Sequence, residues 1–165
     1  MAMKISREFS FEAAHVLSYY TGPCSNLHGH SYFGKIEIKR SAKAMTTVNR
    51  IPDMVIDFNQ LKEVIAVEIM EKYDHSTIFA SVSQRGDFER ELYDLCSRFH
   101  KKVAVVHAAT DVRPTCEVLS RNIAEDVAAA CKNIFGDSDY AVRCYLHETA
   151  GSECISEWMR PEAEA

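Results

Sequence analysis

Two stretches of strict alternation, separated by a turn-rich loop, constrain this chain more than any other feature. In residues 3 to 15 the odd positions Ile5, Phe9, Phe11 and Ala13 form one apolar face, the two-residue period of a strand packed on one side. His15 has the same phase. After Gly22 and Pro23 the alternation resumes, with His28, His30, Tyr32, Ile36 and Ile38 on one side and Lys35, Glu37 and Lys39 on the other. A hairpin that pairs these strands brings His15, His28 and His30 to one point on the inner face.

Three neutral imidazoles without a fourth protein ligand suit a zinc ion that keeps one position open for water or substrate. Cys24, four residues before His28 in "CSNLHGH", has two readings at this level. It is a fourth ligand, which would close the site as a structural one, or a nearby thiolate that moves protons or attacks a substrate.

The 165 residues are 47% hydrophobic, enough for a single domain whose core needs no disulfide staples. A net charge of -5 leaves no broad basic footprint, so neither nucleic acid nor a membrane surface is an expected partner. Without an export-type leader or a run of about eighteen apolar residues, the chain reads as cytoplasmic. The six cysteines (Cys24, Cys96, Cys116, Cys131, Cys144, Cys154) contain no C-x-x-C pair and are expected to be reduced.

Residues 41 to 54 break the period and read as a connection. Asp57 then caps a helix carrying Phe58, Leu61, Ile65 and Ile69. Phe88, Leu92, Leu95 and Phe99 predict a second, shorter helix, and "KKVAVVHA" a brief strand. Thr115 opens a third helix that closes near Gly136, with Val118, Ile123, Val127 and Cys131 on or near one face. Tyr140, Val142, Cys144, Leu146 and Glu148 share a strand face, "ECISEW" returns as a last strand, and "MRPEAEA" is a solvated tail. The order predicts an α+β domain on an antiparallel sheet, with no internal repeat or linker.

Three further acidic positions stand out. "YDHST" places Asp74 beside His75 after the first helix, a polar turn unless the fold brings it to the metal. Glu117 lies in the first turn of the third helix, where exposed N–H groups favour a carboxylate in any case. Glu148 falls on an inward face and requires a cationic or two-donor partner, which a guanidine-like ligand edge would supply. His100, His107 and His147 lack such an arrangement and read as surface or structural.

The stretches "FSFEAAH", "CSNLHGHSY", "MVIDFNQLK", "YDHST", "PTCEVLSRNIAED" and "LHETAGSECI" run from residue 9 to about 155. In this order they closely resemble the 6-pyruvoyltetrahydropterin synthase family, and within it the 6-carboxytetrahydropterin synthase branch. The resemblance implies zinc held by His15, His28 and His30, a catalytic Cys24 that is no ligand, and an Asp74–His75 proton-transfer pair. It also implies a P-T-x-E motif at Thr115 and Glu117, acting in substrate binding and proton transfer, and Glu148 as the anchor of the pterin ring. The Cys-x3-His-Gly-His spacing is similar to the carboxytetrahydropterin branch, whereas the animal biopterin enzyme typically has five residues there.

The fold so implied is the tunnelling fold, a four-stranded antiparallel sheet with helices on one face that oligomerises into a barrel. A homo-oligomer is implied, a hexamer first, with active sites at subunit interfaces. The implied reaction converts 7,8-dihydroneopterin triphosphate to 6-carboxy-5,6,7,8-tetrahydropterin, releasing acetaldehyde and triphosphate, on the route to queuosine. Triphosphate elimination to a 6-pyruvoyl product, and a non-catalytic pterin-binding module, are the alternatives. The chain departs from the family in carrying Tyr73 where leucine is common, and in an extended segment at about 79–113.

Overall fold

A computed structural model describes residues 2–41, 54–107, 112–136 and 138–159. The connection read at 41–54 and the tail fall almost wholly outside these residues. Strand β1 (Ala2–His15) and β2 (His28–Ser41) form a long antiparallel ribbon, with a 3-10 turn (Pro23–Ser25) in the loop between them. Helix α1 (Phe58–Ile65) continues through a π-helical stretch (Ala66–Met70) into a last turn (Glu71–Tyr73). There follow β3 (Ser76–Phe79), α2 (Asp87–Arg98), β4 (Val103–Val105), α3 (Cys116–Phe135), β5 (Tyr140–Thr149) and β6 (Ser152–Met159).

Among the described residues the sheet has six strands, in the order β4-β3-β1-β2-β5-β6, which corrects the expected four. The four antiparallel ones, β1, β2, β5 and β6, are those the alternation predicts. β3, from the "YDHST" turn, joins the free edge of β1 in parallel orientation, and β4, from the extended segment, adds to β3 in the same sense, making the sheet mixed. β4 is the brief strand expected in "KKVAVVHA", whereas the four residues of β3 are too few for a period to reveal.

Inward strand residues Phe9, Phe11, Tyr32, Ile36, Ile38, Val142, Cys144 and Leu146 pack against Leu61, Ile65 and Ile69 of α1. Leu119, Ile123, Val127, Cys131 and Phe135 of α3 complete the same core. Each fully buried leucine or isoleucine there contributes about 1.5–3 kcal/mol. The predicted caps hold: Asp57 accepts from the Asn59 N–H at 2.6 Å, and Thr115 Oγ1 from the Val118 N–H at 3.4 Å. Gly136 ends α3 with φ +58. Tyr73 is buried, its ring stacked on Phe11 at 5.8 Å, so this departure from the family pattern fills core space.

Both helices form as expected, but each carries apolar side chains outside the core. Phe58 opens α1 on the solvent side, outside the core that Leu61 and Ile65 enter. The stripe Phe88, Leu92, Leu95 does lie on a helix, but it faces away from the core, and the buried residue of α2 is Glu89.

Candidate metal centre

Register assembles the centre. Pairing of β1 with β2 sets His15 opposite His28 and Ala13 opposite His30, so all three imidazoles leave the inner face at the loop end of the ribbon. Ring centroids are 4.5, 5.2 and 4.8 Å apart, and one ligand atom from each ring lies within 4.8 Å of the others. His15 is buried, the other two half-buried.

Hydrogen bonds fix the protons on two of the rings. His15 Nδ1 is 2.7 Å from the Pro114 carbonyl oxygen, and His28 Nδ1 is 2.8 Å from that of Asn26. A carbonyl only accepts, so each Nδ1 must donate, and in a neutral ring Nε2 is left with its lone pair. Burial pushes the His15 imidazole below its ordinary pKa, the largest of several influences, so the neutral form is favoured. Yet His15 Nε2 and His28 Nε2 stand 3.0 Å apart, and His30 Nε2 is buried with no hydrogen-bond partner among the described residues. Two converging lone pairs with the unpartnered His30 nitrogen beside them are costly without a cation between them, and this donor set fits zinc.

Glu148 reaches the same point from β5. Its Oε1 is 3.5 Å from His15 Nε2 and 3.7 Å from His30 Nε2, and it accepts a hydrogen bond from the Tyr32 hydroxyl at 3.3 Å. Burial, with the Glu148 charge next in importance, raises the Tyr32 phenol pKa and keeps it a donor. Cys24 sits half-buried in the 3-10 turn, outside the cluster of potential ligands. Thr115 caps α3 immediately after Pro114, and Glu117 follows, exposed, in its first turn.

Asp74 and His75 lie elsewhere. Asp74 Oδ1 accepts from the Glu12 N–H at 3.0 Å, and its Oδ2 lies 3.0 Å from His75 Nδ1. The His75 N–H donates to the Glu12 carbonyl at 2.7 Å, and His75 has φ +57. Both residues of the pair are thus tied to the Glu12 backbone at the edge of β1, with the His75 side chain 78% exposed. A cavity of about 370 Å³ beside it is lined by Glu12, Gly29, His30, Ser31, His75 and Ser76, among others.

The structure therefore joins His15, His28, His30 and Glu148, adds Tyr32, and sets the Asp74–His75 pair at the edge of β1, outside the group of potential ligands. The sequence signal for Tyr32 was its phase, two residues after His30. The Asn26 and Pro114 carbonyls have no side-chain signature at all.

The 6-pyruvoyl tetrahydropterin synthase family model matches residues 4–159. A 6-carboxy-5,6,7,8-tetrahydropterin synthase of Haemophilus influenzae is 35% identical over 125 residues, covering 73% of this chain and 78% of that protein. One from Synechocystis is 38% identical over 71 residues, covering 43% of this chain and 54% of its own length. Among solved structures, the 6-pyruvoyltetrahydropterin synthase of Plasmodium vivax superposes with a TM-score of 0.67 over 97% of this chain and 99% of its own, at 14% identity. Fold, histidine geometry and a match spanning nearly every described element agree, and the chain belongs to the 6-pyruvoyl tetrahydropterin synthase family.

Proposed function

We propose that this protein is a zinc-dependent carbon–carbon lyase that converts 7,8-dihydroneopterin triphosphate and water to 6-carboxy-5,6,7,8-tetrahydropterin, acetaldehyde and triphosphate. The reaction belongs to 7-deazaguanine (queuosine) biosynthesis in the cytoplasm. The observation that carries this reading is the 35% identity to the Haemophilus influenzae carboxytetrahydropterin synthase over most of both chains. The short Cys24-to-His28 spacing supports the same branch.

His15, His28 and His30 hold the zinc, with the Pro114 and Asn26 carbonyls orienting two of the rings. When bound, zinc supplies Lewis-acid chemistry that lowers the pKa of substrate hydroxyls. Glu148 accepts from the amino and ring N–H donors of the pterin, and Tyr32 holds that carboxylate in place. Cys24 takes the proton from the substrate side chain, and Thr115 and Glu117 border the ring.

Asp74 and His75 relay protons in the centre of a neighbouring subunit. The exposure of the His75 side chain supports this arrangement. A homo-oligomer, hexameric in the simplest case, follows from such sharing.

The test is to incubate zinc-loaded protein with 7,8-dihydroneopterin triphosphate and identify the products by mass. Acetaldehyde with a 6-carboxy pterin upholds the reading. Triphosphate release with a 6-pyruvoyl pterin, or pterin binding without turnover, overturns it.

A further inference from the structure

Helix α2 is attached to the body by its polar side. Glu89 is fully buried, its Oε1 accepting from the Ala80 N–H at 2.7 Å and its Oε2 from the Ser18 hydroxyl at 2.5 Å. Tyr93 meets Phe79 edge-on at 5.1 Å, and the Arg85 guanidinium lies 3.9 Å above the Tyr93 ring. The other side carries Phe88, Leu95 and the helix-ending Phe99, which are 57%, 45% and 60% exposed. An amphipathic helix ordinarily turns such a stripe to the core. Here it borders a groove of about 500 Å³ lined by Phe88, Glu91, Leu92, Asp94, Leu95 and Arg98.

The spacing of Phe88, Leu92, Leu95 and Phe99 is four, three, four, that of a coiled-coil seam. Its flanking charges discriminate between partners. In an antiparallel pair related by a two-fold axis, Leu92 meets the partner's Leu95 and Phe88 meets the partner's Phe99. Glu91, on the flank between the first two layers, then faces the partner's Arg98, and the axis repeats the match. In a parallel pair Glu91 would face the partner's Cys96, and neither charge would be answered.

We infer that this stripe is an interface between two copies of the chain, with α2 packed antiparallel on α2. The seam is short, so it adds to other subunit contacts and does not by itself hold a dimer. It is distinct from any pairing of sheet edges, and it does not depend on the reaction proposed above.

The test uses the full, zinc-loaded chain, with mass measured by sedimentation over a range of concentrations. Leu95 is exposed, so Leu95→Glu keeps the wild-type circular dichroism, and the assembly falls to half its mass or dissociates at a concentration at least roughly tenfold higher. Glu91→Arg and Arg98→Glu each weaken the assembly alone, and mixing the two variant chains restores it, because every facing pair is again opposite in sign. An unchanged mass for Leu95→Glu overturns the inference. So does a failure of the mixed variants to reassociate beyond either one alone.

Discussion

Nδ1 of His15, on the first strand, donates to the carbonyl oxygen of Pro114, the residue just ahead of the Thr115 cap of α3, at 2.7 Å. The start of α3 thereby sets the orientation of a metal-binding ring carried by a distant strand. His15→Ala removes both that hydrogen bond and a ligand. Metal affinity should fall by more than about 100-fold, beyond the usual effect of losing only a supporting partner. Zinc retained after dialysis, measured by mass spectrometry, checks this.

Cys24 stands outside the cluster of potential ligands. Cys24→Ala should therefore keep a full complement of zinc while losing turnover. Metal analysis beside product assay separates the two effects, and loss of zinc would make Cys24 a ligand.

The Asp74 carboxyl is held below its ordinary pKa, chiefly by the Glu12 N–H and with help from His75, against a partial opposing effect of desolvation. A depressed folded pKa means that ionised Asp74 stabilises the fold above the unfolded value, near about 4. That contribution is lost as pH falls through the folded pKa. Asp74→Asn should lower the melting temperature at pH 6, with the gap to wild type closing toward pH 2. A gap of constant size across that range would contradict the sign.

Glu89 satisfies one backbone N–H and one hydroxyl in a buried setting, and so ties α2 to the loop that leads to Cys24. Glu89→Ala leaves both donors without an acceptor and should cost about 2–3 kcal/mol. For a chain of this size that is a fall of about 4–12 °C in melting temperature. Glu89→Gln keeps one acceptor and should lose less. Thermal unfolding followed by circular dichroism compares the two.

Burial pushes the Cys116, Cys131 and Cys144 thiols up to about 12. At pH 8 almost none of their thiolate exists, and brief treatment of the native protein with N-ethylmaleimide should leave all three unmodified. In urea all six cysteines should react. Peptide mass mapping reads both states.

The inner faces of β1 and β2 were legible because a period of two needs only local sequence. That same period carried His15, His28, His30 and Glu148 to one place. The site of Asp74 and His75 was not legible, because it depends on a parallel register between β3 and β1 that no local pattern encodes. Nor was the outward turn of the α2 stripe. Periodicity tells which residues share a face, whereas what covers that face is decided by partners such as Ser18 and Ala80, which draw Glu89 inward.

The backbone of His75 lies in the left-handed region, where a side chain with a Cβ costs about 1–2 kcal/mol and glycine costs nothing. Folding alone would favour glycine at this turn, since the exposed imidazole packs into no core. The chain accepts a less relaxed turn and keeps an exposed imidazole paired with Asp74. Strain held at a turn that also carries an Asp–His pair is what a position kept for chemistry, and not for folding, would show.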